Sequence, residues 1–130
     1  MIVLDTHIWF WWVSGQHQRF SAGLLETLAT AAHIGVSVIS CFEIALACRR
    51  GRIELPLPTR EWFPEALERS RVELLPLTVA VAARAVELTH HHRDPFDRII
   101  IATALEVDGQ LASVDREFSS YPELTGRLLA

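Results

Sequence analysis

"HRDPFDRIIIATA", residues 92–104, holds two aspartates where one would serve. Asp94 fits the N-cap of a helix. Pro95 fits the first helical position, where a missing N–H costs nothing, and Asp97 fits the first turn, beside the positive end of the helix dipole. A long apolar run comes next, so the helix spans "DPFDRIIIATALEVDG", residues 94–109, and "QLASVD", residues 110–115, reads as a short strand behind it. A helix start needs only one of the two carboxylates. What the other does separates a structural reading of this chain from a catalytic one.

The same alternation runs outward in both directions. "MIVLDTH" is a short apolar run ending in Asp5, a buried-strand pattern. "SAGLLETLATAAH" has helical spacing with Ser21 as its cap. "IGVSVIS", residues 34–40, is short and β-branched, and "CFEIALACRRG", residues 41–51, then reads as a helix closed by Arg49, Arg50 and Gly51. After the proline-marked "IELPLPT" comes "REWFPEALERS", a helix interrupted at Pro64, and the strand-like "VELLPL". "TVAVAARAVELTHHH", residues 78–92, is a further helix, and the tail "YPELTGRLLA" is expected to add an edge strand. Strands alternating with helices imply an α/β sandwich: a central, mainly parallel sheet flanked by helices. With 130 residues and no linker or repeat, residues 1–130 read as a single domain.

Composition narrows the function. Half of the residues are hydrophobic, yet no stretch reaches the length of a membrane span and "MIVLDTH" lacks the basic start of a signal peptide. The expected location is cytoplasmic, with no membrane partner, and the excess apolar surface is assigned to protein partners. Cys41 and Cys48, seven residues apart on one helix, fit buried thiols and neither a disulfide framework nor a zinc knuckle. All 12 basic residues are arginine against 16 acids, giving a net charge of −4. There is no lysine for a Schiff base or a phosphoryl pocket, and the charge argues against a general nucleic-acid coat.

Placed on this map, four acids fall at ends of elements. Asp5 ends the first strand, Glu43 lies in the first turn of the helix after the second, Asp97 lies in the first turn of the helix of residues 94–109, and Asp115 ends the strand "LASVD". Each has an ordinary explanation: Ser40-x-x-Glu43 is a capping-box pattern, and Asp5 and Asp115 can each cap the segment after its strand. Together they mean more. In an open parallel sheet the carboxyl ends of the strands share one rim, where ligands bind. Carboxylates gathered there repel unless a cation joins them or some are protonated. Oxygen ligands without cysteine or patterned histidine suit Mg2+ or Mn2+. Asp94 then serves as the cap, and Asp97 is left for metal.

"LDTH", "ISCFEIAL", "DPFDRIIIATAL" and "SVD", in that order over nearly the whole chain, resemble the PIN domains, specifically the VapC-type toxins of toxin–antitoxin pairs. The resemblance implies a PIN-like sandwich and a Mg2+-dependent endoribonuclease, with Mn2+ as a substitute. It also implies an RNA substrate cut to leave a 5′-phosphate and a 3′-hydroxyl, inhibition by a cognate antitoxin, and a homodimer. The family's four acids match Asp5, Glu43, Asp97 and Asp115, with Asp5 and Asp97 as direct metal ligands. Ser113 and Thr6 match the hydroxyl residues near the last and first acids, and Asp94 and Arg98 flank the site.

Other signals have plainer readings. Trp9, Phe10, Trp11 and Trp12 fit core or partner packing. His90, His91 and His92 fit solvated helix-end histidines. Arg49, Arg50 and Arg52 suit a helix C-terminus and equally suit RNA phosphates, while Arg98 fits either a phosphate or an acid. The rival readings are a catalytically degenerate PIN-fold module that binds RNA or protein, and a receiver-like domain carrying an aspartyl phosphate. The second is disfavoured by the absence of lysine and of a second Asp in "DTH".

Overall fold

Ile2–Leu4 (β1) is the middle strand of the molecule, and all three of its residues are buried. A strand buried on both faces needs partners on both edges. In the computed structural model, which describes residues 1–89 and 94–130, Ile34–Ser37 (β2) and Gln110–Ala112 (β4) flank it, both parallel. Glu73–Leu75 (β3) lies outside β2 and Leu128–Leu129 (β5) outside β4, giving the order β3-β2-β1-β4-β5, parallel throughout. The edge strand expected in the tail is β5.

Parallel neighbours must be joined by crossovers, and these are the helices. Thr6–Val13 (α1) and Ala22–Thr30 (α2) join β1 to β2; Val38–Arg49 (α3) and Thr59–Ser70 (α4) join β2 to β3. Val79–Glu87 (α5) and Pro95–Glu106 (α6) join β3 to β4, and two short 3-10 helices, Arg116–Ser120 and Pro122–Leu124, lead to β5. The two-residue period of β1 divides the core between the faces. Ile2 and Leu4 pack with Ile8, Trp9, Leu24, Ile44 and Trp62 on one side. Val3 packs with Ile100, Ile101, Phe118 and Tyr121 on the other. The α/β sandwich read from the sequence is the fold observed.

Three local expectations change. β2 stops at Ser37, whose hydroxyl accepts from Ile39 N–H at 3.1 Å, so α3 begins at Val38 rather than at Cys41. Val38 and Ile39 read as strand by propensity, but packing on the sheet overrides propensity. Ser40 is therefore buried inside the first turn and Glu43 lies a turn further on, which removes the capping-box reading of Glu43. α4 runs through Pro64 unbroken. The missing N–H would have met the carbonyl of Arg60, and both residues are exposed, so that carbonyl is open to solvent. α5 closes at Glu87, earlier than the pattern of residues 78–92 implies, and His90–His92 lie outside the described residues. Cys41 and Cys48 are free and half-buried, and burial pushes the Cys41 thiol up to about 11, which keeps it unreactive.

The aromatic run packs mostly inward. Trp9 is fully buried and stacks on Phe63 at 6.4 Å, while Trp12 stacks on His17 at 5.3 Å. Among the described residues, no helix is long and apolar enough to cross a membrane.

Candidate active site

The strand order reverses beside β1, because the chain passes outward through β2 and β3 and then returns to β1's other edge as β4. Such a switch point leaves a crevice at the carboxyl ends of the strands. Asp5 comes directly after β1 there and Ser113 directly after β4, next to each other. Asp5 is only 5% exposed. Its Oδ1 accepts from Ile8 N–H at 2.8 Å, which caps α1, and its Oδ2 accepts from the Ser113 hydroxyl. Ser113 Oγ in turn accepts from Asp115 N–H at 3.0 Å. Burial pushes the Asp5 carboxyl above its ordinary range. The Ser113 and Ile8 bonds and the nearby His7 hold it down, and the charge of Asp115 adds to the rise.

Thr6 links this carboxylate to the next. Its hydroxyl lies 2.6 Å from Glu43 Oε1 and 2.9 Å from Ser40 Oγ. With one proton to give, Thr6 donates to the carboxylate and shares the remaining bond with Ser40. Glu43 is also raised, chiefly by burial; the Thr6 bond opposes this, while Asp97 and Asp94 push the same way. Those two acids open α6. Asp94 Oδ1 accepts from Phe96 N–H at 2.9 Å as the N-cap, and Asp97 lies in the first turn, half-buried. Asp115 is exposed and accepts from Glu117 N–H at 2.9 Å, capping the 3-10 helix after it.

The cap readings of Asp5, Asp94 and Asp115 thus describe real bonds, but they leave the charge unexplained. Asp5 senses Asp115, Glu43 senses Asp94 and Asp97, and Thr6 joins the two groups. Among the described residues, no three His, Cys, Asp or Glu side chains are arranged to hold an ion as they stand. The fit to a divalent ion is one of donor chemistry: hard carboxyl oxygens, with two of the groups, Asp5 and Glu43, raised first by burial and then by neighbouring acids, a cost that a cation relieves.

Arg98, left open between a phosphate and an acid, bonds to backbone, and its charge also helps to lower the Glu123 carboxyl. Its guanidinium donates to the carbonyls of Ala85 at 2.9 Å, Val86 at 3.3 Å and Leu88 at 3.1 Å, closing the C-terminal end of α5. Arg98→Gln should cost roughly 1.5–3 kcal/mol, the range for hydrogen bonds to a charged group, read as a lowered denaturation midpoint in urea. An unchanged midpoint would show these bonds to be idle.

Beside the acids lies a cleft of about 510 Å3. Thr6, His7, Glu43 and Asp94 line it with Arg50, Arg52, Phe10 and Phe96. Sequence reasoning passed over His7, although it stands inside the quoted "LDTH". A second cleft of about 500 Å3 runs between α1 and α4, lined by Phe10, Val13, Leu57, Trp62 and Ala66 among others. Phe10 borders both.

Comparison with known proteins bears on the family and the fold. The PIN domain family matches residues 2–124. Ribonuclease VapC22 of Mycobacterium tuberculosis is 36% identical over 121 residues, covering 92% of this chain and 91% of that protein. Among solved structures, VapBC2 from Rickettsia felis bound to a DNA fragment from its promoter superposes with a TM-score of 0.71 at 18% identity, over 99% of this chain and 98% of the other. DNA-bound VapBC from Salmonella typhimurium gives 0.71 at 17% identity, over 98% and 96%. At such identities the structural likeness speaks for the fold alone.

Proposed function

The chain belongs to the PIN-domain family, and from that premise we propose that it is a metal-dependent endoribonuclease, the toxin of a toxin–antitoxin pair acting in the cytoplasm. One observation carries the reading. A buried aspartate at the switch point, and a glutamate bonded to the residue after it, are both raised by burial and by neighbouring acids. Burying repelling carboxylates costs stability, and a cation bound among them for catalysis offsets that cost.

Asp5, Glu43, Asp97 and Asp115 would hold Mg2+, or Mn2+ in its place. When bound, such an ion polarises a phosphoryl oxygen and makes water a stronger nucleophile near neutral pH. The chain's own residues do the positioning. Ile8 N–H and Ser113 fix both oxygens of Asp5, and Thr6, the next residue, holds Oε1 of Glu43. Asp94 serves the start of α6, which leaves Asp97 in the first turn to face Glu43. No side chain is required as the nucleophile.

Two surfaces support the proposed partners. The groove between α1 and α4 suits an amphipathic segment of an antitoxin, and because Phe10 borders both clefts, that segment would end beside the acids. On α5, Val79 and Val86 are 87% and 82% exposed, with exposed Ala82 and Ala83 between them. This apolar stripe has helical spacing and faces solvent, the pattern expected of a homodimer surface.

The test is incubation of the purified protein with structured and unstructured RNAs in Mg2+, Mn2+ or EDTA. Cleavage with either ion and none in EDTA is expected. Binding of RNA without cleavage under every condition would favour the degenerate binding module.

A further inference from the structure

We propose that Arg50 and Arg52 form a phosphate subsite that holds the RNA strand beyond the bond being cut; this rests on the ribonuclease reading above. Along α3 and its C-cap, Glu43, Ala47 and Arg50 stand at i, i+4 and i+7, so they share one face, and all three line the same cleft. Seven residues of helix advance about 10.5 Å along the axis. The carboxylate and the guanidinium therefore stand at opposite ends of one wall.

The end of α3 brings the second arginine back to the same place. Gly51, at φ 71°, donates to the carbonyl of Cys48 at 3.1 Å, and Arg52 N–H donates to that of Ala47 at 2.9 Å. This is the paired 6→1 and 5→2 closure that glycine allows at a helix end. It folds the chain over the last turn, and Arg52 joins Arg50 in lining the cleft. Among the described residues, neither guanidinium has an ion pair or a side-chain hydrogen bond.

A net charge of −4 and a rim of acids repel a polyanion. An RNA strand entering here needs a cationic foothold away from the acids, and a guanidinium fork matches phosphate geometry. Phe96 lines the cleft and tilts against Phe42, 54% exposed, with ring centres 5.4 Å apart. A half-buried aromatic in a cleft that also holds cations, backed by an exposed one, suits unstacked bases, so the strand held is an unpaired one. A helix C-terminus favours arginine whatever its function, and Arg49 provides the control. It occupies the same turn with the same charge but does not line the cleft.

The experiment monitors a fluorescein-labelled single-stranded RNA by anisotropy in EDTA over a series of salt concentrations. It compares the wild type with R50Q, R52Q, the double variant and R49Q, each checked by thermal unfolding. The double variant is expected to bind about tenfold more weakly. Its log K against log salt slope should fall by about 1.4, two phosphate contacts on a single strand. R49Q should stay within about twofold of the wild type. With Mn2+ present, the double variant should raise KM and leave kcat unchanged. Equal losses in R49Q and the double variant, or a fall in kcat with KM unmoved, overturn the subsite. So does a polyglutamate peptide that displaces the RNA and binds through the same arginines, which would assign the patch to an acidic protein. Arginine-dependent binding by a wild type that cleaves nothing in Mg2+ or Mn2+ would keep the subsite and remove the nuclease reading. Cleavage with an unchanged salt slope would do the reverse.

Discussion

Asp97→Asn is expected to abolish RNA cleavage, whereas Asp94→Asn, three residues away, keeps most of it. Both aspartates stand at the start of α6, and both add negative charge near Glu43. They differ in what holds them. Asp94 commits an oxygen to Phe96 N–H as the N-cap, and asparagine caps a helix about as well as aspartate. Asp97 sits half-buried in the first turn, where the proposed role needs an anionic oxygen that an amide cannot supply. Residues that merely support a metal ligand typically contribute roughly 10–100-fold, so loss of a direct ligand should exceed that and leave only background. Asp5→Asn should do the same. Single-turnover cleavage in Mg2+ and in Mn2+, with circular dichroism to confirm folding, measures both. Equal inactivity of Asp94→Asn and Asp97→Asn would end the division of labour between them, and undiminished cleavage by Asp97→Asn would falsify its assignment.

The start of α6 was legible in "HRDPFDRIIIATA", because cap, proline and first-turn acid obey local rules that tertiary structure rarely overturns. β1 was legible for a similar reason: three apolar residues ending in an acid describe a strand buried on both faces, and its Asp5 had to emerge at a strand end. Elements decided by packing were less so. Val38 and Ile39 look like strand and fold as helix, because the sheet face they meet decides their state. As a result Glu43 moved from a helix cap to a carboxylate held by Thr6. Pro64 looked like an interruption, but α4 runs through it on an exposed face.

Contacts across long sequence separations were the least legible. Nothing in "DRIII" announces that Arg98 reaches back to the carbonyls of Ala85, Val86 and Leu88. Ser113 was expected beside the last acid by resemblance, but its bond to Asp5 spans 108 positions. His7 and the arginine wall of the cleft depend on the helix phase of α1 and α3, which a sequence states only once the helix starts are known.

Asp5 and Glu43 should make the metal-free protein lose stability as pH rises, opposite in sign to the lowered Glu123 carboxyl. Asp5 and Glu43 are both raised in the folded state, first by burial and then by neighbouring acids. Their unfolded values lie near 3.9 and 4.3. Above those values the folded state holds more protons than the unfolded one. The stability these groups contribute is therefore fully present below about pH 4 and is lost as pH climbs through the raised folded values. Asp97→Asn tests the source of this slope. If Asp97 only faced the helix dipole, the change would cost roughly 0.3–1 kcal/mol. Because its charge also presses on Glu43, its removal should raise stability in EDTA at neutral pH and flatten the slope. Metal reverses the order. An ion at about 100 times its Kd adds about 2.7 kcal/mol to the native state, and the wild type, with its full set of acids, should gain more than the variant. Thermal unfolding of both proteins at pH 5 and pH 8, in EDTA and in excess Mn2+, reads all of these effects. A variant less stable than the wild type in EDTA, with neither protein responding to metal, would return Asp97 to the role of a helix-start residue.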